Sequence, residues 1–138
     1  IAKSRGKDRF AGDLIVLVNS GSASASEVFA RTIQLEKRGK VFGDKTAGAV
    51  MTSRFEYVSV GVGEYLQFGF TNTISSLTMT DGKSLEKVGV IPDELILPAA
   101  KDLADQKDSV LSKVVGRLGY ELSPEKAGTF FPFDWVNQ

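Results

Sequence analysis

Four serines fall within the seven residues Ser20 to Ser26 of NSGSASASEVFA, Asn19 to Ala30, directly after the apolar run LIVLV, Leu14 to Val18. A short, continuous, β-branched run suits a strand covered on both faces. From Ala25 onward, Val28, Phe29, Thr32, Ile33 and Leu35 recur at helical spacing. The serines therefore occupy a strand-to-helix turn, and Ser24 at the helix start has two readings. In the first, Ser24-Ala25-Ser26-Glu27 is a capping box, S-x-x-E, in which serine and glutamate satisfy each other's orphan amides. In the second, the turn projects the Ser24 hydroxyl outward as a nucleophile, while the N–H of Ala25 lies at the positive end of the helix, placed to receive an oxyanion. The two differ in whether the hydroxyl faces its own backbone or a cleft.

Composition limits the rest of the chemistry. The 138 residues contain no histidine, which removes the commonest general base at neutral pH. They contain no cysteine, so disulfides and thiolate metal sites are excluded, and nothing in the sequence calls for a metal or another cofactor. Lysine plus arginine balances aspartate plus glutamate at 17 each, which leaves no electrostatic footprint for nucleic acid. No apolar run approaches the roughly 20 residues of a membrane-spanning helix.

The elements that must position the serine turn follow from the pattern. The first helix is expected to end near Arg38, with Gly39 as its stop. KVFG, Lys40 to Gly43, reads as a second short strand, so strand, helix and strand imply a crossover onto a parallel sheet. DKTAGAV, Asp44 to Val50, is a glycine-containing turn. The runs SRFEYVSV and EYLQFGFTNTI follow, read as a hairpin turning at Gly61 to Gly63. Asp81-Gly82 marks another turn, and Pro92 discourages a helix before it. In DSVLSKVVGRLG, Val110, Leu111, Val114, Val115 and Leu118 share one face, with Asp108 as N-cap and Gly119 as stop. The tail GTFFPFDWVNQ is rich in aromatics and is expected to pack onto the domain.

Three blocks in order, VLVNSGSASASEVFA, KVFGDKTAGA and DGKSLEKVGVIPDE, resemble the catalytic core of the carboxy-terminal processing, or tail-specific, serine proteases, including their tricorn-type branch. The resemblance covers roughly Asp13 to Leu118. It implies a crotonase/ClpP-like α/β spiral, a nucleophile at Ser24, an oxyanion donor at the Ala25 N–H, and a polypeptide substrate. The tail-specific branch carries its base as the lysine of G-x-x-T-x-G-K, but here the block reads Gly43-Asp44-Lys45-Thr46-Ala47-Gly48-Ala49, and the lysine position is Ala49. A methyl group accepts no proton, so that serine-lysine dyad is not formed. Lys45 precedes the threonine and glycine of the turn and reads as a solvated lysine. The tricorn-type branch instead uses a histidine from an earlier part of the chain, supported by a glutamate before the G-V-x-P-D block, a position matched by Glu86. Glu27 reads as a helix cap.

The expectation is thus an α/β fold, a partial crotonase/ClpP-like spiral with two main helices and a mixed sheet. Residues 1–12 form a polar arm, 13–120 the peptidase core and 121–138 an aromatic tail. The absent histidine, the missing start methionine and the lack of the upstream strand and PDZ-like module of the resembled family all suggest the C-terminal part of a longer protein. Its upstream domains are then partners of this chain and the source of the base. Function is expected to be peptide hydrolysis through an acyl-enzyme on Ser24, with Glu86 supporting the base and the fragment alone inactive. The alternative is a non-catalytic relative that binds apolar ligands or serves as a scaffold. The resemblance to bacterial processing proteases suggests an extracytoplasmic location.

Overall fold

The computed structural model describes residues 10–61 and 66–132. The run Ile15–Val18 forms β1, Ala25–Leu35 forms α1 and Lys40–Gly43 forms β2, which pairs parallel to β1 with Val16 opposite Val41. Two long strands follow, β3 at Thr52–Val60 and β4 at Leu66–Ser75, then a two-residue strand β5 at Glu94–Leu95. Helices α2 (Ala100–Ala104), α3 (Ser109–Arg117) and α4 (Pro124–Gly128) complete the described elements.

The parallel sheet has the order β1-β2-β5, and alternation along its strands sends side chains to two cores. Val16, Val18 and Val41 join Val28 and Ala30 of α1, together with Val50, Leu85 and Val90. Ile15 and Phe42 point the other way, to Val110 and Val114 of α3 and to Ile96. The sheet is therefore covered on both faces, which is what the unbroken apolar run of β1 requires. Asp93 of the GVIPD block belongs to this architecture: its carboxylate accepts the Val41 N–H at 2.8 Å and a Gln34 side-chain N–H at 3.1 Å, tying β5 to β2 and to α1.

The expected single mixed sheet is not what forms. β3 and β4 pair only with each other, as a separate antiparallel ribbon with Phe55 opposite Thr71 and Val58 opposite Phe68. β2 is the central strand of the parallel sheet, paired with β1 on one edge and with β5 on the other, so it leaves no edge for β3. All residues of β4 are exposed, including Leu66, Phe68, Phe70 and Ile74. The turn expected at Gly61 to Gly63 lies largely outside the described residues, as does most of the N-terminal arm.

Helix α1 ends earlier than glycine spacing predicts. Lys37, at φ 50°, takes the left-handed position after the C-cap, and the Arg38 N–H returns to the Ile33 carbonyl at 3.0 Å. Gly39 is needed instead for close approach, since a Cβ there would lie 2.3 Å from the Leu14 carbonyl oxygen. The second long helix matches its signals: the Asp108 carboxylate accepts the Leu111 N–H at 2.7 Å, and Gly119, at φ 82°, follows the C-cap. The tail was only partly legible. Ser123-Pro124 starts α4, whose Ala127 is fully buried, yet Phe130 and Phe131 remain exposed rather than packed; residues 133–138 lie outside the described part.

Candidate active site

The site is built where β1 ends and α1 begins. Ser24 is the N-cap of α1, with φ 58° and ψ −122°, a conformation well off the left-handed helical basin and costly for a residue with a Cβ. Its surroundings over-determine it. The Ser24 N–H donates to the Ala49 carbonyl at 2.9 Å and to Glu27 Oε2 at 3.1 Å, and the Ser24 carbonyl accepts the Glu27 and Val28 amides. The outline of a capping box is therefore present. The Ser24 side chain faces the Glu27 amide as a capping box requires, but that amide donates to the Ser24 carbonyl at 3.0 Å and the hydroxyl makes no side-chain cap hydrogen bond. Ser24 is exposed, its hydroxyl uncommitted, and the neighbouring Ala25 N–H has no backbone partner among the described residues. An exposed serine hydroxyl and a backbone N–H thus stand together at the positive end of an 11-residue helix, an arrangement that could serve a nucleophile and an oxyanion.

Glu27 does far more than cap. Its side chain is fully buried, and its two oxygens accept from the Thr46 hydroxyl (2.5 Å), the Gly48 N–H (2.7 Å), the Ala49 N–H (2.9 Å) and the Ser24 N–H. Burial pushes the Glu27 carboxyl upward, but the Thr46 hydroxyl and the Ala49, Gly48 and Ser24 amides together outweigh it and hold the group below the ordinary carboxylate value. Thr46 passes the network on, since its oxygen also accepts the Val90 N–H at 2.6 Å.

The turn after β2 is consequently saturated with hydrogen bonds. The Thr46 and Ala47 amides go to the carbonyls of Val90 and Ser22, those of Gly48 and Ala49 to Glu27, and those of Val50 and Met51 to Glu86 Oε2 at 2.9 and 3.2 Å. Gly48, at φ 75°, is obligatory within it, because a Cβ would lie 2.9 Å from the Gly89 nitrogen. Glu86 therefore reaches the Ser24 region through one peptide: it holds Val50, whose neighbour Ala49 accepts the Ser24 N–H. Its Oε1 accepts no hydrogen bond among the described residues. Lys45 is exposed. Among the described residues, no group of histidine, cysteine, aspartate and glutamate is arranged to hold a metal ion.

A groove of about 410 Å³ lies beside the turn, at the carboxyl ends of β1 and β2. Val18, Asn19 and Ser22 form one wall, and Leu103, Val110 and Leu111 another. Its lining includes Ser22 but not Ser24. Sequence reasoning singled out Ser24, Ala25 and Glu86, but read Glu27 as a cap alone and passed over Thr46.

The sequence profile of Peptidase family S41 matches residues 2–96. The chain belongs to this family. The carboxyl-terminal-processing protease of Synechocystis sp. is 32% identical over 83 residues, covering 60% of this chain and 18% of that protein. The chloroplastic C-terminal processing peptidase of Tetradesmus obliquus is 35% identical over 85 residues, 62% of this chain and 17% of its own length. This S41 chain thus spans less than a fifth of the curated relatives it matches. The crystal structure of the tricorn protease superposes with a TM-score of 0.63 at 23% identity, over 78% of this chain and 10% of that one, which speaks to a shared fold.

Proposed function

We propose that this chain supplies the nucleophile half of a serine peptidase. The observation that carries the reading is Ser24 itself: exposed at a helix N-terminus, held at φ 58° and ψ −122°, with its hydroxyl and the neighbouring Ala25 N–H both without a hydrogen-bond partner among the described residues. In this reading the hydroxyl attacks a peptide carbonyl while a base takes its proton. The oxyanion of the tetrahedral intermediate receives the Ala25 N–H, the amine leaves with a proton, and water hydrolyses the acyl-enzyme. The base comes from polypeptide outside this chain, since the sequence holds no histidine and Ala49 occupies the lysine position of the tail-specific block. Glu86 orients or stabilises that base through Oε1, which accepts no hydrogen bond among the described residues.

A non-catalytic module that binds apolar ligands would draw on the groove lined by Val110, Leu111 and Leu103. It gives no use for a strained serine, and costs of about 1–3 kcal/mol for such a conformation are retained mainly where function needs them. The test compares the chain alone with the longer open reading frame that encodes it, on unstructured peptides. The chain alone should be inactive, because a serine without its base loses about 10²- to 10⁴-fold in rate. The longer protein should hydrolyse peptides and lose that activity with Ser24→Ala. Hydrolysis by the longer protein that survives Ser24→Ala would remove the peptidase assignment from this site.

A further inference from the structure

Glu27 is the largest of the fully buried side chains, and nothing in the catalytic reading above requires it. A carboxylate taken out of water is expensive unless every lone pair it brings is used. Here four neutral donors converge on it, and no charged side chain is among them. Two of those donors are informative. The Ser24 and Ala49 amides share Oε2, and the same two residues are joined directly, Ser24 N–H to Ala49 carbonyl. One oxygen atom therefore fixes both sides of the bridge that sets the backbone of the nucleophile. The other oxygen fixes Thr46 and Gly48, so the whole 46–49 turn registers against the start of α1.

A simple cap would need only the Ser24 amide, would sit at the surface, and would tolerate rotation. This carboxylate is immobilised from both sides. We infer that Glu27 is the positioning residue of this site, its buried carboxylate clamping the Ser24 amide to the Thr46–Ala49 turn so that the serine keeps its strained conformation and the Ala25 N–H stays directed outward. The inference rests on Ser24 being the nucleophile, but the clamp itself is measurable without any activity.

Glutamine at position 27 keeps the size and replaces one accepting oxygen with a donor, so two of the four donors lose their partner. In the chain, amide hydrogen exchange at Ser24, Gly48 and Ala49 should accelerate about tenfold or more in Glu27→Gln relative to Val114 of α3, which lies in the other core. Equal acceleration at all four amides would reduce Glu27 to a general contributor to stability and overturn the clamp. Should the variant fail to fold, the wild-type chain decides. As pH falls, the Ser24, Gly48 and Ala49 amide resonances should shift together with one midpoint, the titration of Glu27, and separate midpoints would overturn the inference. In the longer protein, Glu27→Gln should lower kcat about ten- to a hundredfold at nearly constant KM, and an unchanged kcat despite a loosened clamp would refute the positioning role. If that protein hydrolyses nothing even as wild type, the peptidase reading fails while the exchange result still stands or falls by itself.

Discussion

Replacing Thr46 with valine removes one hydroxyl and almost no volume, and it should destabilise the chain far more than its conservative appearance suggests. Thr46 is 4% exposed; its hydroxyl donates to Glu27 Oε1 at 2.5 Å and its oxygen accepts from the amide of Val90, itself 1% exposed. Losing a hydrogen bond to an ionised acceptor costs about 1.5–3 kcal/mol, and leaving a buried N–H unpaired costs about 1–3 kcal/mol. The added methyl surface offsets roughly 1 kcal/mol, leaving a net loss of about 1.5–5 kcal/mol. Serine at the same position keeps both hydrogen bonds and gives up one methyl group, a loss of about 1 kcal/mol. Urea unfolding followed by far-UV circular dichroism should therefore rank wild type above Thr46→Ser, and Thr46→Ser above Thr46→Val. Hydrophobicity alone would instead put valine first. Valine equal to or better than serine would show that the Glu27–Thr46–Val90 relay contributes no stability, and the reasoning would fail.

Acid should weaken the fold through Glu27. Its folded-state pKa lies below the ordinary 4.5, so its contribution is fully present above the unfolded value and is lost as pH falls through the folded one; the stability gap between wild type and Glu27→Gln, read by urea titration at several pH values, should shrink below pH 4.5. At Ser24, Ser24→Gly should exceed Ser24→Ala by about 1 kcal/mol or more in the same assay, because only glycine accepts φ 58° and ψ −122° without strain and glycine is also the better N-cap. In the longer protein, Glu86→Gln keeps an oxygen for the Val50 and Met51 amides and removes the charge, so steady-state kinetics should show kcat falling about ten- to a hundredfold with KM nearly unchanged.

The parts of the structure that sequence disclosed were those set by local chemistry. The apolar run of β1, the S-x-x-E at the start of α1, and Asp108 with Gly119 around α3 each act within one turn of chain, so their residue types are sufficient. What escaped was set by distant partners. Lys37 took the left-handed position expected of a glycine because Gly39 was already committed to close contact with the Leu14 backbone. The separation of β3 and β4 from the parallel sheet followed from β2 being paired on both edges, with β1 and with the distant β5, which alternation within the strands does not encode. Ser24 was legible because strand, turn and helix are contiguous around it. Glu27 was only half legible, since its cap partner lies three residues away and its other partners 19 to 22 residues away. A buried glutamate three residues past a candidate nucleophile, followed by a T-x-G-A turn, is the signal that could have revealed it.

The central claim is that the Ser24 hydroxyl is the nucleophile, and covalent capture tests it most directly. The longer protein should be treated with a fluorophosphonate, which phosphonylates an activated serine with loss of fluoride, and the modified peptide mapped by mass spectrometry. The account predicts a single stoichiometric adduct on Ser24, absent after Ser24→Ala and much slower to form in the 138-residue chain alone. An adduct on another serine, with hydrolysis undiminished by Ser24→Ala, would contradict it.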